Sequence, residues 1–537
     1  MGGGTSSYRE TEDADVIVLW GSNAREAHPI FFHHVLKAVH SGARLFVVDP
    51  RRTSTARCAD TWLGIDTGTD IALSNTIARE IIHAGLVHRS FVERATVDFD
   101  TYATSVERWT LERGEMETGV PADTIRELAH AYATADKAQL CWTLGITEHH
   151  NAVDNVLSLI NLALLTGHVG REGSGLSPLR GQNNVQGGGD MGAIPNKLPG
   201  FQDIVDDGEA RARFDAKYEA KIPPRYGMHL SAMFEAMDSG SLRALYVMGE
   251  NPAQSEADVS HARHLLESLD LLVVQDLFLT QTAELADVVL PAAAAWCEAD
   301  GTVTNSERRV QRVRKALDPP GEARDDLWIL SEVARHLGRD WPDPVAEDVW
   351  DEVRSLSPMH RGMSYARLEE LGGIQWPCPS EDSVEPSYLH GRLWADDPAE
   401  RGKPAAFSVV EHELPVDELD DDFPIRLTTG RRLDSYNTGV QSGPIASPLR
   451  GDGEGVDLSP SDARALGIAA GQVVRVTSRR GSIVVPAHVD EGLRPGLAFI
   501  TFHFPDEADT NVLTINATDP KSGTAEFKAT AVRVEVA

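Results

Sequence analysis

Residues 14–20 read Ala-Asp-Val-Ile-Val-Leu-Trp, and Gly21-Ser22-Asn23 follows at once. A short unbroken apolar run closed by a Gly turn is a strand buried on both faces. From His28 to His40 the apolar residues recur at helical spacing. A second strand, Arg44 to Val48, stops at Asp49-Pro50-Arg51. Strand, turn, helix and strand in this order build a parallel α/β sheet. Ligands of such sheets collect beyond the carboxyl ends of the strands, where Gly21–Asn23 and Asp49–Arg51 both lie.

The pattern recurs downstream. Leu242 to Met248 reads as a strand followed by Gly249-Glu250-Asn251-Pro252; residues 260–268 read as a helix. Leu271 to Val274 is the next strand, ending at Gln275-Asp276. Each unit thus closes its first strand with a Gly turn containing Asn and its second with an Asp, which suggests two nucleotide-binding halves. Between them lie a helix near 122–135, a strand from Gln139 to Leu144 and a helix near 152–166. Residues 170–192 are rich in Gly without any period, and read as a loop. Residues 376–422 are rich in Pro, Asp and Glu and read as an acidic connection, with Asp420 to Asp422 a solvated run. After Phe423 come short strands, IRLTTG, QVVRVTS, SIVVPAHV and LAFITFHF, the pattern of a small β-barrel. The expected divisions are an α/β domain at 1–182, a second at 183–375, the connection at 376–422 and the barrel at 423–537.

A chain of 537 residues exceeds one hydrophobic core. Its net charge of −32 opposes general binding to nucleic acid or anionic membranes. No apolar run reaches the ~18–20 residues of a membrane helix, and the polar start MGGGTSSYRETEDAD is no signal peptide. A cytoplasmic protein, or one translocated only with a partner, is expected. Cys58, Cys141, Cys297 and Cys378 form no CxxC and read as reduced thiols. His33-His34 and His149-His150 suggest a metal pair to the eye, but helical neighbours point apart and no carboxylate is suitably spaced.

The segment Arg180-Gly181-Gln182-Asn183-Asn184-Val185-Gln186-Gly187-Gly188-Gly189-Asp190-Met191-Gly192 carries most chemistry. Its glycines allow close approach of backbone to a ligand, and one Arg among amides can hold a carboxylate bidentately. Composition alone leaves a plain polar surface loop equally open. With GITEHHNAVDNVLSLINLALLTGHVGREGSGLSPL before it, the segment resembles the large subunit of formate dehydrogenase, in the dimethyl sulfoxide reductase family of molybdopterin enzymes. The resemblance continues through VMGENP, VVQDLFLTQTAELADVVLPAAAAWCEADGTVTNSERRVQRV, TTGRRLDSYNTG and FHFPDEADTNVLT.

The resemblance implies a Mo or W centre held by two molybdopterin guanine dinucleotides, and a six-stranded, double-psi-like C-terminal barrel. It assigns Gly21, Ser22, Asn23, His28, Asp49, Arg51, Gly68, Asp70, Gly145 and Glu148 to one dinucleotide. Gly249, Glu250, Asn251, Gln275, Asp276, Thr280, Gly301, Asn305 and Arg308 go to the other. Gly430, Arg431, Tyr436, Asn437, Asn511 and Lys528 would close over the cofactor from the barrel. Carboxylates suit guanine N–H edges and ribose hydroxyls, while Gly turns and cations suit pyrophosphate. Taken alone, Asp49–Arg51 and Gly249–Pro252 also read as ordinary turns, and Glu298–Gly301 as a solvated one.

The implied reaction is oxidation of formate to carbon dioxide or its reverse, with Arg180 orienting the carboxylate, Gln182 assisting, and electrons leaving to iron–sulfur or NAD/flavin subunits. Rival readings are another oxo-anion such as nitrate, or a fragment that only binds cofactor or partner subunits. The family's [4Fe–4S] motif and its Cys or selenocysteine metal ligand have no counterpart here, so no metal ligand is expected in this chain. The cluster is expected in an N-terminal portion upstream of Met1. Since the ligand is often selenocysteine, an in-frame UGA followed by a His codon a short way upstream is one expectation; an ordinary frameshift or a chosen start of the chain is the alternative.

Overall fold

The computed structural model describes residues 2–383, 388–433, 435–440 and 454–537. They form two compact units. One comprises Thr5–Leu179, Gln254–Ser260 and Tyr388–Ala537; the other comprises Met1–Gly4, Arg180–Ala253 and His261–Ser387.

The first unit holds a five-stranded parallel sheet made of β1 (Val16–Trp20), β2 (Arg44–Val48), β3 (Thr61–Leu63), β4 (Ala138–Trp142) and β5 (Gly175–Pro178). Its order is β3-β2-β1-β4-β5. Alternation along β1 explains its unbroken apolar run. Val16, Val18 and Trp20 face one core with Ile77, Tyr102 and Leu159. Ile17 and Leu19 face the opposite core, with Phe31, Phe32 and Val35 of the helix Pro29–His40. A strand buried on both faces has no polar alternation to display.

In the second unit, β6 (Ala244–Met248), β7 (Leu271–Asp276) and β8 (Val288–Pro291) form a parallel sheet in the order β8-β7-β6. A separate antiparallel sheet contains β9 (Gly301–Thr304), β10 (Arg309–Val313) and β11 (Ile374–Gln375).

The closed barrel belongs to the first unit. Its strands are β12 (Ile425–Gly430), β13 (Val456–Leu458), β14 (Val473–Thr477), β15 (Ser482–Val489), β16 (Leu497–Thr501) and β17 (Thr530–Val536), ordered β12-β16-β13-β15-β14-β17. The pairs β12–β16 and β13–β15 are parallel, the others antiparallel. Leu427, Leu458, Val474, Val476, Ile500 and Val532 fill its interior.

Two expectations change. The 170–192 stretch is not all loop: it contains β5 and the short helix Val185–Asp190. Three successive glycines in that helix remove the apolar period that would have revealed it. The 376–422 stretch is more than a connection. Trp376, Cys378, Leu393, Phe407 and Asp417 within it are buried. Asp417 accepts from Arg479 at 2.5 Å, Arg480 at 2.6 Å and the Ala531 amide at 2.8 Å. Asp420 of the acidic run is bound by Arg479 as well, at 2.5 Å.

Candidate cofactor and substrate sites

The two α/β halves repeat one another at the level of single hydrogen bonds. Gly21, with φ +56°, ends β1 and donates its amide to the Val48 carbonyl at 2.8 Å. Gly249, with φ +66°, ends β6 and donates to the Gln275 carbonyl at 2.9 Å. Two residues on, Asn23 Oδ1 accepts from the Thr55 hydroxyl at 2.8 Å, and Asn251 Oδ1 from the Thr282 hydroxyl at 2.7 Å. The same hydroxyls accept from the amides of Arg25 at 2.9 Å and Ala253 at 3.0 Å. The frame has a sequence signature that shows only when the two halves are aligned on their Gly–Asn turns: Asp49-x-x-x-Thr53-x-Thr55 and Asp276-x-x-x-Thr280-x-Thr282. Thr53 and Thr280 each accept from a following amide, Ala56 and Ala283, at 3.2 Å.

In the first unit, Gly145 is folded against Gly21, donating its amide to the Gly21 carbonyl at 3.2 Å. The Thr143 hydroxyl donates to the same carbonyl at 2.6 Å. Ser22 is buried and its hydroxyl has no hydrogen-bond partner. His28 precedes the helix Pro29–His40. Asp49 ends β2 inside the protein. Burial raises its carboxyl to about 6, against the Arg51 charge and amide. Asp70 opens the helix Asp70–His83, accepts from Trp20 Nε1 at 2.7 Å and is likewise raised by burial. Gly68, with φ +86°, lies against Pro415.

The barrel residues join this group. Lys528 Nζ lies 2.7 Å from Glu148 Oε2. The Arg51 guanidinium lies 3.4 Å over the Phe499 ring, and Gly430 ends β12 beside that ring. Arg431 donates to Asn437 and lies over Tyr436 at 5.3 Å. Asn511 donates to the carbonyls of Gln254 and Ser255 at 3.0 and 3.1 Å.

His149 and His150 lie in the turn before the helix Ala152–Thr166, so helical geometry does not separate them as expected. Both reach Glu526, at 3.2 and 3.4 Å. Burial opposes ionisation of Glu526, but the His149 charge and the bonds from both histidines hold its carboxyl far below the usual range. His33 and His34 sit on the helix Pro29–His40, and His34 pairs with Glu12 at 2.6 Å. Among the described residues no group of three or more His, Cys, Asp or Glu is arranged to hold a metal ion.

In the second unit, Glu250 and Asp276 are both raised by burial, and Glu250 further by Asp276. Gln275 accepts from Tyr246 and donates to Asp326, each at 2.5 Å. Glu298, in a segment that taken alone also reads as a solvated turn, is raised by burial to about 7 and accepts from the Asp326 amide at 3.1 Å. Asp276 also accepts from the Leu277 amide at 2.6 Å. Gly301, Asn305 and Arg308 belong to the β9–β10 hairpin. Arg308 is fully buried and donates to the carbonyls of Gly4, at 2.7 Å, and Trp376.

Arg180 follows β5. Its amide donates to the Ser306 hydroxyl at 2.7 Å and its Nε to Gln186 Oε1 at 3.3 Å. Burial lowers its pKa, opposed by Asp190. Gln182 is exposed.

Comparison with known proteins agrees with this architecture. Residues 3–336 match the family model described as molybdopterin oxidoreductase, and residues 425–531 match the molydopterin dinucleotide binding domain. The chain is 41% identical over 535 residues to F420-dependent formate dehydrogenase 2 subunit alpha of Methanococcus maripaludis, covering 99% of this chain and 78% of that one. It is 36% identical to formate dehydrogenase H of Escherichia coli, covering 99% and 74%. Its fold is shared with acetylene hydratase from Pelobacter acetylenicus, at a TM-score of 0.75 and 20% identity over 99% and 79% of the two chains. With a family model spanning the two α/β sheets, a second spanning the barrel and relatives alike from end to end of it, the chain belongs to the molybdopterin oxidoreductase family.

Proposed function

We propose that this chain is the catalytic core of a formate dehydrogenase, binding two molybdopterin guanine dinucleotides around Mo or W. The carrying observation is the repeated frame, one Gly–Asn turn and one Asp per α/β half. The residues fit such a group. The Ser22 hydroxyl is buried and unpartnered, and the carboxyls of buried Asp49, half-buried Asp276 and exposed Glu250 suit the N–H edge of guanine or ribose hydroxyls. Gly21 and Gly249 would admit pyrophosphate close to backbone amides. Lys528, Arg431 and Arg51 would offset its charge, with Asn511, Asn437 and Tyr436 beside them.

When bound, the metal–pterin group supplies the acceptor for the two electrons that leave formate as it becomes carbon dioxide and a proton. The protein's part is orientation. Arg180 holds the formate carboxylate through its planar guanidinium, with Gln182 nearby in sequence as an assistant. The iron–sulfur cluster and the electron-accepting subunits of this proposal lie outside the described residues. A cytoplasmic setting belongs to the same reading; no helix among the described residues is long and apolar enough to cross a membrane.

The test is acid release of cofactor from the purified enzyme containing this chain, together with formate-dependent dye reduction. About two guanine nucleotides per metal and reduction that requires formate are expected. Nicotinamide or flavin in these pockets, or reduction driven by another substrate only, would overturn the proposal.

A further inference from the structure

The helix Val185–Asp190 contains a side-chain network centred on an amide whose orientation is unambiguous. Gln186 Nε2 donates to Gly2 O at 2.5 Å and to Asp190 Oδ1 at 2.9 Å. Both neighbours accept, so the amide nitrogen must face them. Its oxygen is thereby turned to Arg180 and accepts from Nε at 3.3 Å. Asp190 is held in turn: its second oxygen accepts from Trp376 Nε1 at 2.9 Å, and its side chain has no exposure. The buried imidazole of His360 lies 3.9 Å from the same oxygen and is held by Ser357 at 2.7 Å. Gln186 is itself buried.

We infer that Gln186 and Asp190 are positioning residues for Arg180: the carboxylate orients the amide, and the amide fixes the plane of the guanidinium. This rests on the reading that Arg180 holds formate. A bidentate grip needs its plane set in advance, because a guanidinium free to turn about its own chain loses one of the two bonds. The site requires an amide at 186. A carboxylate there would face Asp190 and the Gly2 carbonyl with no hydrogen to give, and a methyl-ended chain would remove the acceptor that position 186 offers to Arg180 Nε. Asp190 and Gln186 touch neither substrate nor cofactor in this scheme; they act through Arg180.

The test uses the metal-loaded enzyme containing the full chain, with Gln186→Glu, Gln186→Leu, Arg180→Lys and the double variant Arg180→Lys/Gln186→Leu. Metal content and melting temperature identify variants that fail to fold; Trp376→Phe, which removes one bond to Asp190 while keeping an aromatic ring, is the milder probe. Formate affinity is read from thermal shift as well as from turnover. Losing a charged hydrogen bond of this kind corresponds to about 10-fold or more in kcat/KM. We expect that loss in both Gln186 variants, with formate affinity weakened, metal content kept, and a smaller loss of the same kind in Trp376→Phe. The double variant should lose little beyond Arg180→Lys alone, since both changes remove the same aligned guanidinium. If Arg180→Lys lowers kcat/KM while the Gln186 variants match the parent, or if the two losses simply multiply, the positioning role is wrong and the Arg180 reading stands. If Arg180→Lys itself changes nothing, the underlying reading fails.

Discussion

A Cβ atom on Gly21 would lie 2.8 Å from the carbonyl carbon of Gly145, and one on Gly145 would lie 2.6 Å from the Gly21 Cα. These are backbone atoms and cannot swing aside. Gly249 has nearly the same φ, but a Cβ there would meet nothing within 4 Å. Gly21→Ala should therefore cost the apo chain more than about 3 kcal/mol, counting both the left-handed backbone and the clash. Gly249→Ala should cost only about 1 kcal/mol. Urea midpoints compare the two, and equal losses would contradict the close approach.

Asp49 gives a prediction with opposite signs in the empty and loaded protein. Its folded carboxyl is raised to about 6 from an ordinary 3.8, so the folded state prefers the proton. Its contribution to stability declines as pH rises from about 4 to 6 and stays low above that. Asp49→Asn should leave apo stability unchanged near pH 4 and raise it by up to about 3 kcal/mol above pH 6. Guanine nucleotide content should fall in the same variant. Denaturation across pH 4–8 and nucleotide analysis check the two halves of the statement.

The Glu526–His149 pair sets a bounded window. Glu526 is depressed from 4.5, so its contribution is present above about pH 4.5 and is lost on further acidification. His149 is raised from 6.5: burial works against its charge, but Glu526 and Asp70 prevail over burial and Lys528. Its contribution is complete below about 6.5 and is lost as pH rises through the folded value. Glu526→Gln should hence destabilise most between about pH 4.5 and 6.5, by roughly 3 kcal/mol, because it leaves His149 buried beside a neutral partner. A loss that is constant from pH 4 to 9 would assign Glu526 a packing role only.

For Arg180→Lys, a point charge replaces a planar fork. Formate kcat/KM should fall at least about 10-fold with metal content retained. Steady-state kinetics with metal analysis provide the check, and unchanged kinetics would give Arg180 a structural role.

Much of the α/β frame was legible because buried parallel strands are short apolar runs. The apolar run Arg44–Val48 coincides with its strand residue for residue, and the runs at β1 and β7 match theirs to within a few residues. The strand-end turns were legible too, since Gly, Asn and Asp there are dictated by backbone conformation and partners. The helix Val185–Asp190 was not, because its stability comes from tertiary bonds of Gln186 and Asp190 rather than from propensity. Strands β13 and β17 are less legible: β13 has three residues, and six residues without a period separate β17 from the turn Asp519–Gly523. His149 and Glu526 are separated by most of the chain, and no periodicity links residues that meet only when the barrel and sheet are packed together. The pair of D-x-x-x-T-x-T segments was visible all along; aligning the two halves by their Gly–Asn turns brings it out.

The doubled frame also amounts to a substitution experiment recorded within one molecule. Where both copies spend the same side chain, as at Asn23 and Asn251 or Thr55 and Thr282, geometry leaves no choice. Where they differ, as Ser22 against Glu250, the same turn tolerates a hydroxyl or a carboxylate without altering the bonds around it. The surroundings decide which residue each turn takes: Ser22 is buried beside the Gly145 backbone, where a carboxylate would be costly, whereas Glu250 is exposed in an open turn.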